Sequence, residues 1–483
     1  MPKRGMTTRE LFLKEFPGSL ADETAALFVG AGVSMSAGYP SWKSLLREIG
    51  EELGVSSADV SDLAALAQWH IRRTSGATKI RQVIRNEIGV ERAIPDTAEV
   101  IARLPVRHIW TTNYDTLIER AFNALRRPLD VISSAPDLSL KPRAGAVRLY
   151  KMHGSVSQLN DVVISTDDYE LFRSKRGAFL PLLQAHLSSL SMLFVGLSFT
   201  DPNVRHVLSL IREAFTDAPP EHFAIVRPPH RDEYTSKDEY EARLKQHEFW
   251  TDDLQRYGLR AVEIDSYDDV PVLLKLLERK IAERRVWVSG SWPVGIEGDR
   301  HMEFVYQVAH GLGYELGQMG LTLVSGSGLL VGSAVLGGFL SALQEAGVWD
   351  LDRRLVSRPF PQPLDGKEPD QKQWAMLRAE LGRLSGVALF IGGQKVLDGR
   401  LVDADGVFAE RAIAETNGAF ILPIGATGGA SRRIAESLIG AGASAVSSQR
   451  PSDTELRALL DETKSTSEIV GIAKTVLKRI ASN

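Results

Sequence analysis

Short apolar runs rich in Val, Ile, Leu and Phe alternate along this chain with longer stretches whose apolar positions recur at helical spacing. Such runs read as strands buried on both faces, and their alternation with helical segments reads as a parallel sheet covered by helices. The expected fold class is therefore α/β. In the first half the candidate strands are Ala25 to Val29, Val106 to Thr111, Val147 to Met152, Met192 to Val195, His222 to Val226 and Leu259 to Ile264. Each of the first four runs straight into a polar or glycine-rich loop. A charged, helix-like stretch from Asp269 to Arg285 precedes a second series: Val286 to Ser289, Leu321 to Ser325, Ala388 to Ile391 and Phe420 to Ile424. The strand, glycine turn and helix rhythm restarts there without a Pro/Gly/Ser linker. This puts a boundary near Arg284 and gives two expected domains, 1–284 and 285–483.

Composition narrows the function. A length of 483 residues is too great for a single core. The formal net charge of −4 and the lack of a long Lys/Arg run argue against a nucleic-acid partner. No uninterrupted apolar run would span a bilayer, and no signal-like apolar segment precedes Asp22 and Glu23, so a cytoplasmic protein without a membrane partner is expected. The count of 0 cysteines excludes disulfides, thiolate catalysis and every cysteine-based zinc site.

After the first strand the chain reads Gly30-Ala31-Gly32-Val33-Ser34, then Gly38-Tyr39-Pro40-Ser41-Trp42, with a helical segment expected to begin near Lys43. Glycines at such a turn let backbone N–H groups approach a pyrophosphate, although they serve equally often as structural punctuation. Thr112-Asn113-Tyr114-Asp115 follows the second run, and His153-Gly154-Ser155 follows the third. All of these polar residues sit at carboxyl ends of expected strands, where open α/β sheets bind ligands. Singly, Asn113 and Asp115 read as helix caps and His153 as a turn residue.

Taken in order, the three motifs resemble the NAD-site motifs of the sirtuin superfamily. Phe194 to Asn203 resembles that superfamily's Gly-x-Ser ribose loop, through Gly196 and Ser198. The resemblance implies a Rossmann-type sheet that binds NAD+ through Gly30, Ala31, Gly32, Ser34, Asp115, Gly196 and Ser198. It also implies roles for two residues: Asn113 holding the nicotinamide-side ribose or the attacking water, and His153 contacting the ribose hydroxyls and accepting a proton. Protein-deacylating sirtuins carry a four-cysteine zinc module and an Arg in the first loop; here there is no cysteine, and Trp42-Lys43 stands in that region. Cleavage of the nicotinamide–ribose bond, with water as acceptor, is the chemistry left standing. A deacylase or ADP-ribosyltransferase is the second reading, and a nucleotide sensor without turnover the third.

In the second half, strands end in Gly290-Ser291, in Gly326-Ser327-Gly328 and in Gly392-Gly393, and Glu410 lies on a helix beyond. Paired glycine-rich strand-to-helix turns suit an anion, or else tight helix–sheet packing. The pattern resembles the SLOG superfamily, whose hydrolytic members carry Pro-Gly-Gly-x-Gly-Thr-x-x-Glu. Here Ile391 replaces the proline and Gln394 to Asp405 interrupts the route to the glutamate, so ligand binding rather than hydrolysis is expected. A sirtuin-like domain followed by a SLOG domain is similar to the NAD-consuming effectors of Thoeris antiphage defence. That resemblance implies a homotetramer whose SLOG domain binds a cyclic ADP-ribose isomer made by a TIR-domain partner, through Gly290, Ser291, Gly326, Ser327, Arg378, Gly392, Gly393, Lys395 and Glu410. A one-residue slip in alignment would substitute Lys372, Arg383 or Glu415. It implies no metal and no cofactor beyond NAD+ as substrate.

Overall fold

The computed structural model describes residues 7–215, 220–294, 300–348, 351–361, 370–397, 399–440 and 450–482. The chain forms two compact units, Met1–Glu278 and Arg279–Asn483.

The first unit is built on β1 (Ala25–Val29), β2 (His108–Thr111), β3 (Leu129–Ile132), β4 (Val147–Lys151), β5 (Ser191–Val195), β6 (His222–Val226) and β7 (Leu259–Glu263). They lie in the order β3-β4-β2-β1-β5-β6-β7, and every pairing is parallel. All five residues of β1 and of β6 are buried, as an apolar run covered on both faces requires. The strand β3 was absent from the expected set. It is a four-residue edge strand with one buried residue, and Asp130 on it pairs with Arg143, so it has no apolar run to betray it. The helix expected near Lys43 starts at Trp42, with Ser41 as its cap, but a shorter helix, Ala31–Ser36, precedes it. Gly30, in extended conformation, turns the chain from β1 directly into that helix.

The second unit holds β8 (Arg285–Ser291), β9 (Thr322–Ser325), β10 (Leu355–Ser357), β11 (Val387–Gly392) and β14 (Phe420–Ile424), in the all-parallel order β10-β9-β8-β11-β14. Between β11 and the helix Asp405–Thr416 stands an antiparallel hairpin, β12 (Gln394–Leu397) with β13 (Arg400–Asp403). This hairpin is what the sequence presents as an interruption after Gly393. The edge strand β10 also escaped the sequence reading, since its three residues are only half-buried.

In both sheets the strand order reverses direction beside the first strand of the unit. Chain progress runs from β1 to β2 on one side and resumes at β5 on the other; likewise it runs from β8 to β9 and resumes at β11. Loops leaving the carboxyl ends of strands at such a reversal diverge and leave a crevice, which is where open α/β sheets bind ligands.

Candidate functional site

The four motif loops of the first unit leave β4, β2, β1 and β5, four strands adjacent in the sheet. Parallel pairing puts all four at one edge. The loops after β1 and β5 touch backbone to backbone: Gly30 N–H donates to Val195 O at 2.8 Å and Gly32 N–H to Gly196 O at 2.9 Å. A Cβ on Gly30 would collide with the Gly196 carbonyl, and one on Gly32 would lie 2.9 Å from Gly196 Cα. Gly196 itself has φ of +68°, a conformation that glycine adopts without the steric cost of a side chain. Gly30, Gly32 and Gly196 are thus required by close approach, whatever they bind.

Asn113 reaches across from the β2 loop, its Nδ2 donating to Gly30 O at 2.9 Å. Asp115, beside it, is buried and uses both oxygens: Oδ2 accepts from Ser34 Oγ at 2.5 Å and Oδ1 from Leu117 N–H at 3.0 Å. Its place is structural, tying the β1 and β2 loops together. Beneath it, the fully buried Lys151 at the end of β4 donates to Asp115 O and, at 2.7 Å, to Glu119 Oε1. A buried ammonium is tolerated because those acceptors replace its water.

His153 follows β4 and is buried. Its Nε2 lies 3.1 Å from Asp201 Oδ2, within ion-pair reach though off the line of an N–H bond. The Tyr169 hydroxyl donates to the same oxygen at 3.2 Å, and its ring meets His153 edge-on at 5.4 Å. Burial alone would push the Asp201 carboxyl up, but His153, the Val204 N–H and Tyr169 together hold it below the usual carboxylate range. Burial, reinforced by Asp201, pushes the Tyr169 phenol well up, so it stays a donor. Ser198 is not drawn into this group; its Oγ pairs with Thr200 Oγ1 at 2.8 Å and is exposed. Ala31 is exposed at the start of its helix.

Asp201, Tyr169, Lys151 and Glu119 were not singled out from the sequence. Asp201 had a signal, Asp-Pro-Asn, but one that reads as a helix N-cap with Pro in the first turn; Oδ1 does cap Pro202–Ala214, accepting from Asn203 and Val204 N–H at 3.0 Å each.

In the second unit, Gly290 and Ser291 lie in register with Ile391 and Gly392. A Cβ on Gly290 would collide with the Ile391 carbonyl. Gly392 N–H donates to Thr427 Oγ1 and Gly393 N–H to Ser291 O, each at 2.8 Å, so these two amides are engaged within the protein. Gly326 supports the ring of Phe360, and Ser327 takes a left-handed φ of +55° with its N–H donating to Ser325 Oγ at 3.0 Å.

Arg378 and Glu410 meet. Arg378 Nε lies 3.4 Å from Glu410 Oε1, and Ser289 Oγ donates to Glu410 Oε2 at 2.5 Å. The guanidinium packs on the paired rings of Phe360 and Trp374, 5.4 Å from each ring centre, the two centres being 5.6 Å apart. Burial pushes the Glu410 carboxyl up, with Ser289 and Arg378 opposing. Lys395, on the hairpin, pairs with Asp405 at 2.7 Å, one residue from Gly406, against which Arg378 packs. Of the alternative residues, Glu415 pairs with Arg411 at 2.8 Å, and Lys372 and Arg383 are exposed.

Among the described residues no group of three His, Cys, Asp or Glu is placed to hold a metal, and no helix is long and apolar enough to cross a membrane.

Two family models match along the chain. A SIR2-like domain model matches residues 107–250, and a model of the Sir2- and TIR-associating SLOG family matches residues 269–480. Fold and sites together define a SIR2-like unit joined to a SLOG-family unit. An NAD(+) hydrolase ThsA from Bacillus cereus (strain MSX-D12) is 36% identical over 423 residues, 87% of each chain. Those from Cytobacillus dafuensis and Enterococcus faecium are 32% and 30% identical, over 90% and 88% of this chain and 89% of each relative. The chain belongs to the ThsA NAD(+) hydrolase family.

Proposed function

We propose that this chain hydrolyses NAD+ to ADP-ribose and nicotinamide in its first unit, and that the second unit binds a cyclic ADP-ribose isomer which switches the hydrolysis on. The observation that carries the reading is the convergence of four loops from adjacent strands on Asn113 and His153. The chemistry needs no metal and no strong nucleophile. Nicotinamide leaves as a neutral molecule with the electrons of its bond to C1′, an oxocarbenium-like ribose develops, and water attacks it. Asn113 holds the ribose or the water, and His153 accepts the water's proton. Gly30, Gly32 and Gly196 serve the crevice by letting the β1 and β5 loops touch, since the Gly30 and Gly32 N–H groups are spent on the Val195 and Gly196 carbonyls.

In the second unit, Arg378 and Lys395 suit a pyrophosphate, and Glu410 suits ribose hydroxyls. Binding there shifts the chain toward an active state to the extent that the ligand prefers that state. The source of the ligand is a TIR-domain partner, the working form is a homotetramer in the cytoplasm, and the outcome is NAD+ depletion in antiphage defence. Support comes from the named ThsA relatives and from the SLOG-family match, whose description includes association with TIR.

The test is NAD+ turnover by the purified chain, followed by chromatography with and without a panel of cyclic ADP-ribose isomers. Release of nicotinamide and ADP-ribose in response to one isomer is the expected result. NAD+ surviving every condition would overturn it.

A further inference from the structure

The His153 ring has a single hydrogen to give when neutral, and which nitrogen carries it decides which can act as base. Asp201 fixes that choice. Its side chain is 10% exposed and has no freedom left: Oδ2 faces His153 Nε2 at 3.1 Å and accepts from Tyr169 at 3.2 Å, while Oδ1 accepts two backbone N–H groups at 3.0 Å. At 3.1 Å the carboxylate's charge favours the imidazole hydrogen on Nε2, an N–H that is off line here and needs a small ring rotation to donate, and leaves Nδ1 with the free lone pair.

We infer that Asp201 is a positioning residue of the NAD-cleaving site: its charge beside Nε2 sets the tautomer of His153 and, as the cap of Pro202–Ala214, it holds that charge on the loop that follows Gly196. Tyr169 is the brace that keeps Asp201 oriented. When water adds to C1′ and nicotinamide departs with the bonding pair, the water's proton passes to Nδ1. The imidazolium so formed lies beside Asp201 and is stabilised by it, and the proton then leaves to solvent. Asp201 neither touches substrate nor changes protonation state, which parallels the buried aspartate that orients the histidine in serine-protease triads.

The inference rests on the NAD-cleaving reading, and the experiment separates the two. Full-length wild type, Asp201→Asn and Asp201→Ser are compared for kcat and KM on NAD+, in the presence of whichever cyclic ADP-ribose isomer activates the wild type, and for melting temperature. Asn and Ser are both good N-caps, so the helix start survives in each, but neither offers a carboxylate to His153. Expected is a fall in kcat of about 100-fold or more in both variants, by analogy with loss of the orienting aspartate elsewhere, with KM within about threefold and melting unchanged. Tyr169→Phe is expected to lower kcat less, about threefold to tenfold, because it removes one of several donors to Asp201 and leaves the carboxylate beside His153. A wild-type kcat in Asp201→Asn and Asp201→Ser would overturn the inference, as would KM and melting temperature moving together with kcat. If the wild type itself leaves NAD+ intact, the failure belongs to the NAD-cleaving reading.

Discussion

The carboxyl edges of the two sheets use the same backbone device for different ends. Each brings a glycine at or beyond a strand end against a carbonyl of the neighbouring strand or its loop, Gly30 against Gly196 and Gly290 against Ile391, and each buries a carboxylate bonded to a serine hydroxyl at 2.5 Å, Ser34 to Asp115 and Ser289 to Glu410. What surrounds the carboxylate differs. In the first unit Asp115 is saturated by neutral donors, and the chemistry falls to Asn113 and to His153 with its own carboxylate at 3.1 Å. In the second, Glu410 faces a guanidinium that packs on a pair of aromatic rings. One edge sets an imidazole beside its acid; the other sets a guanidinium there. The lesson is that a shared scaffold becomes a reactive or a receptive site through the partner given to one buried acid.

The sharpest way to break this contrast is to remove the acceptor. His153→Ala is expected to lower NAD+ turnover about 100- to 10,000-fold, the usual range for a lost general base, with the fold intact; nicotinamide release measures it. Turnover persisting in that variant would make the first edge a binding site like the second. Next in size is Lys151→Met, which leaves Glu119 and the Asp115 carbonyl without their buried cation. A loss of about 3 kcal/mol in denaturant unfolding is expected, well above what a surface lysine contributes.

Arg378→Ala sharpens the contrast from the other side. It should weaken the response to a cyclic ADP-ribose isomer about 10- to 100-fold, as expected of one charge-assisted contact, while activity at saturating isomer remains. Titration calorimetry and turnover curves read the two quantities separately. Phe360→Leu, which removes one ring of the aromatic pair under Arg378, should cost about 0.5–1 kcal/mol of the same affinity.

A further expected effect concerns pH, and it has opposite signs for three buried histidines of the first unit and for Glu410 of the second. Burial lowers His108, His186 and His222 of the first unit from 6.5 to about 4. Groups depressed in the folded state contribute stability above their ordinary value, and that contribution is lost as pH falls from about 6.5 toward 4. Glu410 is raised, so its contribution is present below its ordinary value and is lost as pH rises through the folded one. Calorimetric melts should therefore show the first unit weakening on acidification. Glu410→Gln should raise the second unit's melting temperature more at neutral pH than near pH 4, at about 2–4 °C per kcal/mol.

Much of this was legible in the chain. The motif residues Gly30, Asn113, His153 and Gly196 declare themselves because each follows an apolar run directly, and Gly290 and Gly392 do the same in the second unit. Their gathering at one edge was not visible, since the order β4-β2-β1-β5 is not the order of the sequence. Asp201 was hidden behind its own second role, one oxygen capping a helix while the other meets His153. Lys151 reads as an ordinary strand-end lysine until Glu119, on a helix earlier in the chain, supplies its counter-charge. Phe360 and Trp374 look like core aromatics, and only the fold pairs them beside Arg378. The half-buried edge strands β3 and β10 lack the apolar runs by which strands are recognised.

The β12–β13 hairpin leaves the sheet after Gly393 and returns at Ala404, whose N–H donates to the carbonyl of Gly393 itself at 2.8 Å. Departure and return are stapled to one residue, so the hairpin is an appendix to the fold whose length β11 and the helix beyond need not sense. Lys395 nevertheless belongs to the ligand group proposed for the second unit. A fluorophore or a circularly permuted fluorescent protein grafted into this appendix would report the arrival of the proposed ligand without altering a residue of the first unit. The chain would then serve as an optical gauge of that nucleotide in crude lysate.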